Sequence, residues 1–132
     1  GAEEATLLKT ASELDITGKV VFLGYKENPY AYVARADLFV LSSEYEGFGN
    51  VVVEALATGT NVVSTNCPSG PAEILNDGEF GFLCGDAAKL SETICYALQH
   101  KISSGILHNR AREFSKTSVA KQYLQRVISI CR

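Results

Sequence analysis

The 132-residue sequence predicts an α/β domain built on a doubly wound parallel sheet. Short apolar runs without a polar face recur along the chain, as expected for strands that are covered on both sides in a parallel sheet. Stretches with helical periodicity separate these runs, and parallel strands need such crossovers. Polar turns that contain glycine follow two of the runs, and open α/β sheets bind ligands at such turns. Together with the length, these observations favour a single domain of this class.

The first part of the chain alternates helix and strand. Apolar residues recur every three or four positions across 3–14, which predicts a helix, and the apolar run 20–23 predicts a buried strand. Pro29 suits the first position of a short helix over 29–36, and the run 38–41 predicts the second strand. The residues predicted to face inward on the two helices are Ala5, Leu8, Ala11, Leu14, Tyr32 and Val33.

The third helix is predicted against local propensity. The triplet 51–53 is Val-Val-Val and favours a strand, because β-branched residues are stiff in helices. The stretch 54–57 favours a helix, Gly59 fits its C′ position, and the run 61–64 predicts the next strand. Because two successive parallel strands need a crossover, we predict a helix here with Asn50 as its N-cap.

The last part of the chain adds one strand and four helices. A leading proline predicts a short helix over 71–75, and the run 81–84 predicts the last strand. Asp86 is expected to cap the next helix, and two more helices are predicted over 106–114 and 117–131. The inner faces of the capped helix and of the last helix are predicted to be Leu90, Ile94 and Leu98, and Val119, Tyr123, Val127 and Ile130, respectively.

Composition argues against several classes of function. The net charge of −3 is spread without runs, so neither nucleic acid nor an anionic membrane is indicated as a partner. No apolar run is long enough to span a bilayer. The four cysteines lack metal-ligand spacing and are expected to be free, mostly buried thiols in a reducing compartment. Because the sequence begins at Gly1 and contains no Met, we expect a fragment of a longer protein.

Two polar turns, 42–50 and 65–70, carry the candidate binding residues. Both follow predicted strands, so both are expected at the carboxyl edge of the sheet. Glu46 lies in the first turn, and Glu54 leans back toward the start of the following helix. Carboxylates bind hydroxyl groups strongly, and the amides of 49–52 offer a seat for an anion. The spacing therefore indicates a ligand with sugars at both ends of a phosphate.

Each of these residues also has a simpler interpretation. Glu54 could only favour the helix dipole, and Glu46 could be a solvated loop acid. Gly47 and Gly49 could merely serve a tight turn, since no Lys-Ser or Lys-Thr follows them as a phosphate-binding P-loop requires. The dinucleotide pattern G-x-G-x-x-G and the nucleophile pattern G-x-S-x-G are absent from the sequence as well.

Several stretches resemble a known family when they are taken together. They are VFLG at 21–24, NPY at 28–30, ADLFVLSSEYEGFGNVVVEALATG at 36–59, CPSGPAEIL at 67–75 and GFL at 81–83. They closely resemble the C-terminal domain of family 4 (group 1) glycosyltransferases, whose GT-B fold contains two Rossmann domains. The resemblance implies an incomplete Rossmann-like sheet. Residues 1–132 would form a partial nucleotide-sugar-binding C-terminal domain, without the N-terminal acceptor domain and without the first two strands of its own sheet.

The resemblance also implies a reaction and residue roles. A retaining glycosyltransferase would move a hexose or an N-acetylhexosamine from a nucleotide sugar, UDP-linked, to a glycan or lipid-linked glycan in cell-surface polysaccharide biosynthesis, without a metal ion or other cofactor. Glu46 matches the first acid of the family's E-x7-E pair and is expected to be catalytic at the donor sugar's hydroxyls, while Glu54 matches the second and is expected to bind the ribose. Further donor contacts are expected from Gly47, Phe48, Gly49, Asn50 and Val51, with the nucleobase near Gly24 and Tyr25.

The same resemblance limits what 132 residues can do alone. The strands that are expected to be missing carry the Arg and Lys that neutralise the departing diphosphate, so the isolated chain is expected to be inactive. The last helix is expected to expose its inner face. The whole enzyme is expected in the cytoplasm, with peripheral association at the inner face of the membrane. A non-catalytic nucleotide-sugar-binding module remains the alternative, whereas an NAD-dependent domain is disfavoured by the missing glycine pattern.

Overall fold

A computed structural model of the chain describes residues 3–130, apart from the side chains of Ala87 and Ile130. Within this range, three strands, β1 (Phe39–Leu41), β2 (Val62–Thr65) and β3 (Phe82–Cys84), form one parallel sheet in the order β1-β2-β3. In the register, Leu41 pairs with Ser64 and Thr65 pairs with Cys84. The prediction of a parallel α/β sheet is therefore confirmed.

Helices connect and cover the strands. Helix α3 crosses from β1 to β2 and α4 crosses from β2 to β3, as parallel neighbours require. The helices of the described chain are α1 (Glu4–Glu13), α2 (Tyr30–Val33), α3 (Asn50–Ala57), α4 (Pro71–Ile74), α5 (Leu90–Gln99), α6 (Ser104–Glu113) and α7 (Lys116–Ile130). Short 3-10 turns occur at Thr17–Lys19, Asn76–Gly78 and Ala87–Lys89.

The main core lies between α3, α6 and one face of the sheet. Val52 and Leu56 of α3, Val62 of β2 and Leu107 of α6 are fully buried in one cluster. Each such side chain contributes about 1.5–3 kcal/mol by leaving water. Val63 points to the opposite face because side chains alternate along a strand, and it is also fully buried. Since α5 packs against β2 and β3, both faces of the sheet are covered around β2.

Helix α3 resolves the ambiguity of the valine triplet. The chain is helical through the triplet, and Gly59 follows with φ +77°, the left-handed conformation expected of a C′ glycine. The helix begins at Asn50 with Gly49 as N-cap, so the predicted N-cap is wrong by one residue. Gly49 takes this position because its φ of +83° turns the chain sharply into the helix, a conformation that costs glycine little.

The predicted strand at 20–23 is wrong for the described chain. Val20 is extended, but the segment pairs with no strand between residues 3 and 130, and Val21 is 77% exposed. The residues 21–28 make no backbone hydrogen bond within that range. Strand propensity mainly reflects packing and pairing context, so an apolar run without a paired neighbour does not form a strand.

Five residues predicted to face inward on α1, α2 and α5 are exposed instead. In the first helical stretch Ala5, Leu8 and Leu14 are exposed, and of the four residues predicted there Ala11 alone is buried.

The other two of these residues lie on α2 and α5. Tyr32 is exposed while Val33 is half-buried, because α2 is a single turn and presents only one residue to α3. Leu98 is exposed and Ala97 is buried in its place, since the face of α5 toward the sheet must approach β2 closely.

The last helix, α7, exposes its apolar residues as expected. Val119, Tyr123 and Val127 of the predicted inner face are all exposed, while the side chain of Ile130 lies outside the described residues. Between residues 3 and 130, the structure contains no helix that is both long enough and apolar enough to cross a bilayer.

Candidate functional site at the carboxyl edge of the sheet

The turns after β1 and β2 meet at the carboxyl edge of the sheet. Gly70, the last residue before α4, has φ +105° and packs directly against the backbone of Phe48 in the first turn. Both the positive φ and this close approach require a residue without a Cβ atom. The two turns that the sequence singled out therefore form one continuous surface.

A side-chain hydrogen bond fastens the same two turns together. Thr65, the last residue of β2, is 8% exposed, and its Oγ1 donates to the carbonyl oxygen of Ser43 at 2.6 Å. Backbone pairing between β1 and β2 ends at Leu41 and Ser64, so the Thr65 hydroxyl holds the chain where the ladder stops. This contact fixes the start of the turn that carries Glu46.

Glu46 is ordered by its own turn. The side chain is half-buried, and its Oε1 accepts a hydrogen bond from Ser43 Oγ at 2.7 Å. A freely solvated loop acid would have no such fixed partner. The second oxygen, Oε2, accepts no hydrogen bond from any residue of the described chain, so it is available to a ligand.

The start of α3, a few residues after Glu46 in the chain, presents free amides. Four amides, those of residues 49–52, are predicted from the sequence to bind an anion. The N–H of Val52 instead donates to the carbonyl oxygen of Gly49 at 2.8 Å and is not free to do so. The amides of Gly49, Asn50 and Val51 donate to no acceptor among residues 3–130. Together with the positive end of the helix dipole, these three groups suit an anion.

Glu54 lies one turn further along α3. Because the helix begins at Asn50, Glu54 is its fifth residue rather than the fourth, and it falls just beyond the first turn. The side chain is half-buried and has no hydrogen-bond or ion-pair partner in the part of the chain that the structure describes. A carboxylate in this state can accept hydrogen bonds from a ligand without first breaking an internal contact.

Phe48 links the site to the helical layer behind it. Its ring meets the ring of Phe114 edge to face, with centroids 5.8 Å apart. The guanidinium of Arg110 lies over the Phe114 ring, 4.8 Å from its centroid, and donates to the carbonyl oxygens of Ile74 at 2.8 Å and Glu73 at 2.6 Å. Arg110 thus ties α6 to the end of α4 and supports the turn through Phe114.

The residues predicted to lie near the nucleobase, Gly24 and Tyr25, belong to a different segment of the chain from the two turns. Gly24 has φ +61°, and Tyr25 is 90% exposed. No hydrogen bond of the described structure links them to either turn. Gly47, Phe48, Gly49, Asn50, Val51, Glu46 and Glu54 all lie on the turn after β1 or on α3, whereas Gly24 and Tyr25 lie on the irregular segment that precedes α2.

Sequence reasoning missed the roles of Ser43 and Thr65. The signal for Ser43 was its spacing of three residues before Glu46, at which a hydroxyl reaches a neighbouring polar group within a turn. Thr65 carried no comparable local signal, because its partner lies 22 positions away.

The thiol at the end of β3, on Cys84, is not an activated one. Burial raises the pKa of the Cys84 thiol, whose Sγ donates to the carbonyl oxygen of Ser64 at 3.6 Å. Cys67 and Cys84 are buried and free, as expected, whereas Cys95 is free but exposed and Cys131 lies outside the described residues. Within the described range, no group of three or more His, Cys, Asp and Glu side chains could hold a metal ion.

Comparison with known proteins places this domain in a family. Residues 1–117 match the family model described as glycosyl transferases group 1. This match covers most of the chain, so the chain belongs to that family. Its α/β fold is that of the GT-B glycosyltransferase structures, which confirms the resemblance stated from the sequence.

Similar proteins agree in fold and sequence. The lipopolysaccharide core biosynthesis glycosyltransferase LpsE of Rhizobium meliloti is 34% identical over 98% of this chain and 40% of its own length. The N-acetylgalactosamine-N,N'-diacetylbacillosaminyl-diphospho-undecaprenol 4-alpha-N-acetylgalactosaminyltransferase of Campylobacter jejuni is 42% identical over 63% of this chain and 23% of its own length. The crystal structure of Anabaena HepE in complex with UDP superposes with a TM-score of 0.78 and 26% identity, covering 95% of this chain and 36% of HepE. The chain thus spans two fifths or less of each of these proteins.

Proposed function

We infer that the protein containing this chain is a glycosyltransferase, and that residues 1–132 form part of its donor-binding domain. The proposed reaction transfers a hexose or N-acetylhexosamine from a nucleotide sugar to a glycan or lipid-linked glycan, with retention of configuration, in cell-surface polysaccharide biosynthesis. One observation carries the donor site: a half-buried carboxylate with one free oxygen, on Glu46, lies in the turn that leads to the three free amides at the start of α3.

Each part of this surface has a role in the proposal. The diphosphate lies over the amides of Gly49, Asn50 and Val51, which stabilise negative charge without a proton transfer. Glu46 accepts hydrogen bonds from the hydroxyls of the donor sugar, and Glu54 accepts them from the ribose. When the bond from C1 of the sugar to the diphosphate breaks, its electron pair leaves with the diphosphate, and charge develops beside the start of α3.

Relatives support the choice of substrates. The HepE structure contains UDP, which favours a UDP-linked donor here. The Campylobacter relative is named for the transfer of N-acetylgalactosamine to an undecaprenyl-diphosphate-linked sugar, and the Rhizobium relative is named for lipopolysaccharide core synthesis. These names favour an N-acetylhexosamine or hexose donor and a glycan acceptor on a lipid. Such an acceptor would bring the enzyme to the cytoplasmic face of the membrane as a peripheral protein.

The proposal includes metal independence, with cations from outside these 132 residues completing the neutralisation of the diphosphate. Transfer that persists at full rate in excess EDTA supports this point. Restoration of a lost rate by Mg²⁺ or Mn²⁺ contradicts it.

The central test uses the full-length protein with UDP-N-acetylhexosamines and UDP-hexoses. We expect transfer to a lipid-linked acceptor, and about a hundredfold loss of kcat/KM in Glu46→Gln. Glu44→Gln is the matched control, since Glu44 is an exposed acid in the same turn, and it should retain the wild-type rate. Binding of UDP sugars without turnover by the wild type would indicate a non-catalytic binding module instead.

A further inference from the structure

Ser43 takes part in two hydrogen bonds that connect the end of β2 with Glu46. Its hydroxyl donates to Glu46 Oε1 at 2.7 Å, and its carbonyl oxygen accepts from Thr65 Oγ1 at 2.6 Å. The first contact is within one turn and the second comes from the neighbouring strand. A relay therefore joins the carboxyl end of β2 to the Glu46 carboxylate.

The first bond controls which carboxylate oxygen a ligand can meet. A serine hydroxyl has one proton to donate, and here it goes to Oε1. The other oxygen of Glu46 has no partner among residues 3–130. A hydrogen bond to a carboxylate is charge-assisted and therefore strong, so it selects one orientation of the side chain.

The second bond controls where Ser43 itself lies. Backbone pairing of β1 and β2 ends one residue before Thr65, so the chain after Leu41 has no further ladder to hold it. The Thr65 hydroxyl is 3.5 Å from the carbonyl oxygen of Leu41 and much closer to that of Ser43. With one proton to give, Thr65 bonds Ser43, and it is buried enough to exclude competing water.

Ser43 supplies the hydrogen bond that holds the Glu46 carboxylate, and among residues 3–130 no other hydrogen bond or ion pair holds it. A free glutamate side chain samples many rotamers, and a group that must meet a sugar hydroxyl loses rate when it is misplaced by about 1 Å.

We propose that Ser43 is a positioning residue that holds Glu46 toward the donor sugar, and that Thr65 holds Ser43 in turn. The inference rests on the proposed function, because it assigns Glu46 to the sugar. It adds a residue that acts through Glu46 and makes no contact with the nucleotide. Removing the Ser43 hydroxyl should therefore weaken the contacts made to the donor sugar and leave the affinity for the nucleotide unchanged.

The test compares Ser43→Ala, Ser43→Thr and Ser91→Ala in the full-length protein. Ser91 is an exposed serine on α5 and serves as the control. We expect Ser43→Ala to lower kcat/KM for the UDP sugar about tenfold, the amount typical of one lost charge-assisted hydrogen bond. The Kd for UDP alone should stay within about twofold, and Ser43→Thr, which keeps the hydroxyl, should recover most of the rate.

A double-mutant cycle makes the assignment specific to Glu46. In a Glu46→Ala background, which has no side-chain acceptor for the Ser43 hydroxyl, Ser43→Ala should lower kcat/KM about twofold or less, since the group it positions is absent. Thr65→Val and Thr65→Ser provide a second pair that does not depend on Ser43→Ala folding. Thr65→Val should reproduce the selective loss, and Thr65→Ser should retain the rate.

The outcomes separate the two proposals. If the wild type neither binds nor transfers a nucleotide sugar, the proposed function fails and this inference fails with it. If the wild type transfers sugar and Glu46→Gln lowers kcat/KM about a hundredfold, but Ser43→Ala behaves as wild type, only the positioning role is overturned. An equal loss of UDP and UDP-sugar affinity in Ser43→Ala also overturns it, because that result means a general collapse of the turn.

Discussion

Gly70 lies directly against the carbonyl group of Phe48: a Cβ atom at position 70 would stand 1.8 Å from that oxygen. No side-chain movement can relieve such an overlap, because the obstructing atom belongs to the backbone. The contact joins the two turns of the candidate site. Its integrity should therefore be visible in both stability and ligand binding.

Gly70→Ala is expected to be strongly destabilising. It adds the steric overlap with Phe48 to the strain of φ +105°, and we expect a loss of about 3 kcal/mol or more in the free energy of unfolding. Gly78→Ala is the matched control, since Gly78 has φ +106° but a Cβ there would meet nothing within 4 Å. It should lose about 1–2 kcal/mol from backbone strain alone. Equal losses in urea denaturation would contradict the close contact between the turns.

Arg110 should be important for stability because it contacts the end of α4, which lies more than 30 residues earlier in the chain. Its side chain is 13% exposed, and it satisfies the carbonyl oxygens of Glu73 and Ile74 at the end of α4. Arg110→Ala leaves these acceptors without their partner and removes the cation over Phe114, for a loss of about 2–4 kcal/mol. Arg112→Ala, at an exposed position of the same helix, should change stability by about 0.5 kcal/mol or less. The free energies of unfolding of the two variants should therefore differ. Similar values would show that Arg110 does not stabilise the end of α4.

Asn61 pins the connection between α5 and α6 to the start of β2. Its side chain is buried, its Nδ2 donates to the carbonyl oxygen of Ile102 at 3.1 Å, and its Oδ1 accepts from the Ile102 amide at 2.9 Å. Asn61→Ala leaves the carbonyl and amide groups of Ile102 without these hydrogen-bond partners. We therefore expect the free energy of unfolding to fall by about 2 kcal/mol and hydrogen exchange at the Ile102 amide to become faster. Asn28→Ala, at an exposed position, should leave that exchange rate unchanged. An unaltered rate in Asn61→Ala would show that the pair does not protect the connection.

The sequence pattern predicted most of the elements, for identifiable physical reasons. The runs that form β1, β2 and β3 are apolar and bounded by turns. A glycine after the helical stretch predicted the end of α3, and Gly59 does take the left-handed conformation there. The run at 20–23 had the same apolar character, yet it forms no strand, because pairing depends on a neighbour that local pattern does not describe.

The candidate site was predicted only in part for a related reason. The glycine turn, Glu46 and Glu54 could be found from local spacing. The contacts of Thr65 with Ser43 and of Gly70 with Phe48 depend on how β1 and β2 align, with Leu41 opposite Ser64. That register is a tertiary property, so no local pattern contained it.

The thiols of Cys95 and Cys84 should differ sharply in reactivity. Cys95 is exposed on α5, whereas Cys84 is buried at the end of β3, and burial raises the pKa of its thiol. Because the thiolate is the reactive form, a raised pKa and poor access both slow the labelling of Cys84. In a Cys131→Ser background at pH 8, a chromogenic disulfide reagent should label Cys95 at once, and Cys67 and Cys84 only as fast as the domain opens. Adding urea should then expose both buried thiols together, because β2 pairs with β3 and the amide of Asn66, the residue before Cys67, donates to the carbonyl oxygen of Cys84. Rapid labelling of Cys84 in native conditions would contradict its burial, and mass spectrometry of the labelled peptides identifies which thiol reacted.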